Sequence, residues 1–471
     1  MILNYRLIFA LAVAGAAGGC AGVRVESLGR VSPEGVVTLS ADCRHVAVVV
    51  NDREAILTVD GKPYTHKPRI GSVALSFDGA RVGYAAYGES GGILPKVDVV
   101  VDGVGHVYGL VRRDVVPVPP PQIVFSADGK RVAWCNVTNE EGQAVVVEDG
   151  TVEDAYRATG EVDIFGSALV FSPDGQRLAW MRSVHDGKSP LEDGVQWLIN
   201  GYQGQVHGSV WGPVVFSPDG KRTAYFASPE TLMAAEGRSW RSVVIDGTAE
   251  TSSFVGQVGK IAFGPDSQEV AYSVSEERPG PMGPWLEHWL VVERMDAAGG
   301  VSKRVEALGE AVAGGMAWSA DGKHFAYVKV WREADAKQPG EWVYPGMLNV
   351  DGKDVKESYA VGRKGAGYEA GVLCTLMPPV FSPDGRHMAY GAMQDGVWML
   401  MLDGKAVKGY RLVAAEESGR PLGELMAAWR TFSGAGVLPY HFAEDGKLNF
   451  VGEKDGELFR LEVGAGWGRL P

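Results

Sequence analysis

Cysteine is scarce in this chain: four residues in 471, at positions 20, 43, 135 and 374. Cys20 lies in an apolar leader, which leaves an odd number and no Cys-x-x-Cys pair, so neither a disulfide framework nor a zinc cluster is implied. Buried free thiols are the expected state, with one chance pair open in an oxidising compartment. The nine histidines include no His-x-x-x-His pair, and no Asp-x-Asp-x-Asp-Gly loop gathers the oxygens that calcium takes. No metal or cofactor is expected. Basic charge is short too: 45 Lys and Arg face 58 Asp and Glu, for a net −13. Nonspecific nucleic-acid binding needs basic patches to replace counterions, so nucleic acid is not an expected partner. The apolar run at residues 7–17 is too short to span a bilayer.

What the chain does have is a repeated turn. Phe171-Ser172-Pro173-Asp174-Gly175 returns as Phe216-Ser217-Pro218-Asp219-Gly220 and as Phe381-Ser382-Pro383-Asp384-Gly385. Looser copies carry Asp42, Asp78, Asp128, Asp266, Asp321 and Asp445 in the same place, so the turn occurs nine times. Each copy joins two apolar, β-branched arms, as Ile123-Val124-Phe125 and Val132-Ala133-Trp134 do. Pro presets φ, Asp bonds its own backbone, and Gly takes the φ > 0 position of a bulged hairpin. A second apolar run then ends in another Asp-Gly or Asn-Gly pair, at Asp60, Asp102, Asp149, Asn200, Asp246, Asp351 and Asp403. In the unit of Asp266 that second turn is replaced by Glu293-Arg294-Met295-Asp296. Each unit therefore holds about four strands, A to D, with tight turns between A and B and between C and D.

A lone four-stranded sheet cannot bury both faces, so the units are expected to stack radially. The Phe-Ser-Pro-Asp-Gly-Lys/Arg-x-x-Ala-Tyr pattern resembles the WD-like repeat of TolB-type propellers, also found beside prolyl-oligopeptidase-like hydrolases. That resemblance spans residues 36–463 and implies an all-β fold, a single β-propeller of eight or nine four-stranded blades. With the repeats taking nearly the whole chain, no stretch is expected to encode the hydrolase domain of those peptidases or the extra amino-terminal domain of TolB.

Residues 1–20 read as an export signal, with Arg6 ahead of the apolar run and Gly18-Gly19-Cys20 after it. Cys20 resembles the lipidated cysteine of a bacterial lipoprotein lipobox, and Ala21 after it implies outer-membrane sorting. Ala12-Val13-Ala14 offers an ordinary cleavage site as the alternative. Membrane attachment is expected only through Cys20, and residues 21–471 are expected to form the propeller. The last unit supplies about three strands, so the alternating stretch from Val23 to Leu28 is expected to complete it and latch the ring.

With both tight turns on one face of the disc, the long connections fall on the other. Segments 182–195, 227–241, 273–287 and 329–344 lie between strands B and C, whereas 109–121, 356–378 and 413–438 lie between D and the next A. Loops on a rigid scaffold carry binding, although plain surface insertions would look the same. Trp285, Trp331, Trp342 and Tyr344 in these loops are the candidate binding residues. Trp197, Trp289 and Trp398 enter strand C and are expected to pack between blades. His45, His324 and His387 stand three residues after a turn Asp, so repeat geometry explains them better than a metal site. His185, His207 and His288 lack ligand spacing. Gly88-Glu89-Ser90-Gly91-Gly92 matches Gly-x-Ser-x-Gly by letter, but Ile93-Leu94-Pro95 follows it in place of a helix. No catalytic residue is singled out. The expected function is a non-enzymatic binding or scaffold protein of the bacterial envelope, taking a protein, peptide or glycan on the long-loop face. The alternative is a hydrolase or lyase with its site at the central channel.

Overall fold

The computed structural model describes residues 23–30, 35–51, 54–67, 69–87, 96–110, 121–138, 143–156, 169–184, 194–228, 240–249, 254–255, 258–278, 285–295, 301–309, 311–331, 333–334, 342–363, 376–394, 397–407, 409–412 and 438–464. Every regular element among them is a β-strand. The strands form nine antiparallel blades, numbered here by their inner strands, with blades 2 and 3 joined into one sheet where Leu110 and Gly109 pair with Val137 and Thr138. The inner strands are Val36–Leu39, Arg69–Leu75, Gln122–Phe125, Val170–Phe171, Ser209–Phe216, Val258–Phe263, Val312–Trp318, Val380–Phe381 and Tyr440–Phe442. The count is nine, at the upper of the two expected values.

Blade 5 shows how the sequence makes a blade. Its strands are Ser209–Phe216, Thr223–Ser228, Trp240–Ile245 and Thr248–Ala249. At the first turn Ser217 Oγ donates to Asp219 Oδ1 at 2.6 Å and accepts from Arg222 N at 2.9 Å, while Lys221 N donates to Asp219 Oδ1 at 3.1 Å. Gly220 closes the turn at φ +69°, a left-handed value that a Cβ would strain. At the second turn Asp246 and Gly247 both have positive φ, the type I′ geometry whose twist matches the flanking strands. Phe216 pairs with Thr223 and Ile245 with Thr248, so both tight turns leave from the same end of the blade.

The core lies between blades rather than within them. Nine buried apolar clusters are found among the described residues, each drawn from two neighbouring blades. In strand B of blade 3, Val132–Thr138, the side chains of Val132 and Trp134 enter the seam with blade 2. Ala133 and Cys135, the alternate positions, enter the seam with blade 4. Period-2 alternation thus sends successive side chains into different seams, and both sets are buried. No blade excludes water without its neighbours, which makes the fold a closed β-propeller.

The ring closes as the sequence implied. Strand Val23–Arg30 pairs antiparallel with Glu457–Val463, from Val23↔Val463 to Arg30↔Glu457, with a bulge between Ser27 and Gly29. Leu28 of this latch is buried with Leu39 and Val46 of blade 1 and Val451 and Leu458 of blade 9. One strand therefore completes the last blade and seals it against the first.

Candidate functional site

The tight-turn face carries a repeated clamp that in blades 2, 3 and 5 joins one blade to the next. In blade 5 Arg222 donates through Nε to Asp246 Oδ2 at 2.8 Å, and the adjacent Thr223 N donates to Asp246 Oδ1 at 2.8 Å. Arg222 Nη1 then crosses the seam to Ser267 O at 3.2 Å, with the guanidinium 5.6 Å from the Phe263 ring centroid. Arg81 does the same in blade 2, reaching Asp102 at 2.7 Å, Gly129 O at 2.9 Å and Lys130 O at 2.8 Å, over Phe125. Arg131 pairs with Glu148, reaches Gly175 O at 2.7 Å and lies over Phe171. A planar, five-donor fork suits this task, because one side chain must satisfy a carboxylate and carbonyls in two turns.

Three blades depart from the pattern. In blade 4 Asn200 replaces the turn Asp and accepts from Leu178 N at 2.8 Å, and Arg177 Nη2 is buried without a partner. Asn200→Asp should restore the ion pair and raise stability by about 0.5–1 kcal/mol. Urea melts would show it, and a gain that persists after Arg177→Met would refute the assignment. Blade 6 inverts the pair: Glu269 stands where seven of the other blades have Arg or His, and Arg294 bonds it at 3.1 Å and Asp266 at 3.1 Å. The loss of the second Asp-Gly in this unit is thus one half of a charge swap. Blade 9 shortens its first turn by one residue, with Ala443 N bonding Lys447 O.

His45, His324 and His387 are the clamp residue of blades 1, 7 and 8. Their Nδ1 atoms lie 2.8 Å from Asp60, Asp351 and Asp403. Repeat geometry accounts for them, as the sequence implied, and their positions were legible although their partners were not.

The Ser hydroxyl holds the turn carboxyls of Asp78, Asp128, Asp174, Asp219 and Asp384 below the usual range, and a following Lys dominates at Asp321 and Asp445. A depressed folded-state value means that the unfolded chain binds more protons below its own value of about 4. Stability from these turns is therefore complete above pH 4 and lost as pH falls through the folded values. Urea midpoints should be flat from pH 6 to 5 and drop between pH 4 and 3, with a smaller drop after Ser217→Ala.

On the opposite face, blades 6 and 7 stand out by strand length. Blade 6 extends strands B and C to Glu269–Arg278 and Trp285–Met295, paired continuously from Glu269↔Arg294 to Arg278↔Trp285. Blade 7 extends strands C and D to Trp342–Val350 and Lys353–Arg363, with the short strand Glu333–Ala334 added against Val343 and Trp342. These parts of segments 273–287, 329–344 and 356–378 were expected as loops and are strands instead. Nothing stops pairing in blade 6 before Pro279-Gly280-Pro281, so the polar Glu276 and Glu277 continue the ladder.

The candidate residues fall on these extensions. Trp285 is the first residue of strand C of blade 6, and Trp342 holds the same place in blade 7. Tyr344 follows two positions later, opposite Gly362, and Trp331 leaves strand B with its N–H on Pro345 O at 3.1 Å. Trp331, Trp342 and Tyr344 thus share one end of one blade, with Trp285 on the adjacent blade. Trp197 and Trp398 are buried in seams and Trp289 packs against one, as expected. His207 and His288 are buried; among the described residues no group of three or more His, Cys, Asp or Glu is placed to hold a metal. Cys43 and Cys135 are buried, and burial pushes the Cys43 thiol well up. Cys20, Ser90, His185 and Cys374 lie outside the described residues.

No family model matches the chain, and no curated protein matches it. Among solved structures it is similar to one described as that of the eukaryotic initiation factor, at 10% identity and TM-score 0.44, covering 80% of this chain and 86% of the other. The β-propeller domain of the Trilobed protease from Pyrococcus furiosus matches at 12% identity and TM-score 0.30, over 71% and 97%. TolB from Acinetobacter baumannii matches at 15% identity and TM-score 0.28, over 72% and 77%. Blade pairing and the nine seam cores, not these likenesses, establish that the chain is a β-propeller.

Proposed function

We propose that the chain is an exported, non-enzymatic binding or scaffold propeller of the bacterial envelope, which holds a protein, peptide or glycan on its long-loop face. The observation that carries this reading is the pair of extended hairpins on adjacent blades 6 and 7, which place Trp285, Trp331, Trp342 and Tyr344 at one end of the molecule. Aromatic side chains on rigid strands offer contact area at small entropic cost. The latch adds an orientation. Val23 pairs with Val463, and Val463 with Leu448 beside the first tight turn of blade 9, so the chain enters the ring at the tight-turn face. A lipid on Cys20 lies three residues from Val23, a reach of about 10 Å. It would turn the tight-turn face to the outer membrane and the aromatic hairpins away from it.

The test is recovery of partners from envelope extracts by the wild type and by a variant with residues 276–287 and 331–344 replaced by two-residue turns. Loss of specific partners is expected. Equal recovery by two folded proteins would remove the reading.

A further inference from the structure

On the tight-turn face an open recess of about 480 Å³ lies at the seam of blades 7 and 8, lined by Asp321, His324, Phe381, Asp384, Gly385 and Asp403 among others. Its origin is a missing piece of the clamp. In Arg81 and Arg222 the guanidinium pairs with the turn carboxylate, lies over the next blade's Phe and donates to the next turn's carbonyls. Gly129 O and Lys130 O receive those bonds from Arg81, and Ser267 O and Gln268 O receive them from Arg222. His324 performs only the first two tasks. Its Nδ1 lies 2.8 Å from Asp351, and its ring stacks on Phe381 at 6.2 Å. The imidazole is too short for the third task. Gly385 O and Arg386 O, the counterparts of Gly129 O and Lys130 O, take no hydrogen bond from a described residue of blade 7.

Blade 1 meets the same shortening differently. There the next turn has moved onto the ring, since a Cβ on Gly79 would sit 2.2 Å from His45 Cγ. At blade 8 a Cβ on Gly385 would first meet Asp321 Oδ1 at 3.3 Å, and His324 is not among its nearest neighbours. The gap stays open. Lys323 Nζ is held by Asp321 Oδ2 at 2.8 Å and His387 Nδ1 lies 2.8 Å from Asp403 Oδ2, which leaves Asp384, whose Oδ1 accepts from Ser382 Oγ and Arg386 N, to set the sign of the lining; Arg386 lines it as well.

We propose that this recess binds the guanidinium of an arginine side chain from a partner polypeptide, which supplies the donors that His324 lacks. The planar fork matches adjacent carbonyl oxygens and a nearby carboxylate, as Arg81 and Arg222 demonstrate in the chain's own seams. A single such side chain should bind on the order of millimolar, and the flanking polypeptide would add affinity.

The probe is blocked arginine, N-acetyl-arginine methylamide, titrated into the whole protein while the amide signals of Asp384, Gly385 and Arg386 are followed by NMR. Blocked citrulline, its neutral near-isostere, and blocked lysine are the controls. Saturable shifts with arginine at millimolar concentration are expected, at least fivefold weaker with lysine and absent with citrulline. His324→Arg fills the recess from within, so it should abolish the shifts and raise the melting temperature. His324→Ala leaves the carbonyls open and should keep binding. Equal response to citrulline or lysine, no saturable response, undiminished binding by His324→Arg, or loss of binding in His324→Ala would each overturn the proposal. None of these outcomes depends on the lipid anchor or on the opposite face.

Discussion

Deleting residues 21–32 should lower the melting temperature by about 5 °C or more and make blades 1 and 9 the first to exchange their amide hydrogens. The latch strand contributes a full ladder against Glu457–Val463 and places Leu28 in the seam of blades 9 and 1. Loss of a buried Leu costs about 2–5 kcal/mol, and each ladder hydrogen bond about 1 kcal/mol net. Polar groups add to it: Arg460 pairs with Glu26, and Ser27 donates to Glu457. The latch also crosses blade 1, because a Cβ on Gly61 would lie 2.7 Å from Leu28 O. A ring opened at one seam becomes a linear array whose end blades have one neighbour each, so fraying should start there. A synthetic peptide of residues 21–32 should restore the melting temperature of the deletion. Unchanged melting, or exchange beginning at blades 4 to 6, would show that closure lies elsewhere.

The parts of the fold that were legible are those where one residue type has one backbone task. Gly175 and Asp246 announce their turns because a left-handed φ and a type I′ pair exclude most other residues. The latch was legible as a missing fourth strand at the far end of the chain. The clamp was not, since Arg222 and Asp246 belong to different hairpins and Ser267 to the next blade. Its trace was nevertheless present: Arg or His recurs three residues after the turn Asp in seven blades, and Glu269 breaks that series in the unit that lost its second Asp-Gly. The extended hairpins were misread because Glu276, Glu277 and Glu287 are polar, whereas ladder pairing at an exposed tip depends on the backbone and ends only at a breaker. The candidate aromatics were legible as a group, and their gathering on two neighbouring blades follows from register.

Trp197→Ala should cost about 3–5 kcal/mol, whereas Trp342→Ala should cost less than about 1 kcal/mol and reduce partner recovery. Both residues stand in strand C, at different depths along the blade, and Trp342 is the one assigned to the proposed binding face. Trp197 is 1% exposed in the seam of blades 4 and 5, among Met181, Val214, Phe216 and Tyr225, with the Tyr225 ring 6.4 Å away. Its removal leaves a cavity that two rigid sheets cannot close without breaking their ladders. Trp342 instead pairs with Ala334 beyond the last rung between strand Phe325–Val330 and its neighbour, at the tip of the hairpin. For a cooperative unit of this size 1 kcal/mol moves the melting temperature by roughly 1 °C, so the two variants should differ by about 3 °C. Equal destabilisation by both substitutions would make Trp342 a packing residue and withdraw the aromatic hairpins from the binding face; a stable Trp342→Ala with undiminished recovery would keep the hairpins and move the contact to Trp285 or Tyr344.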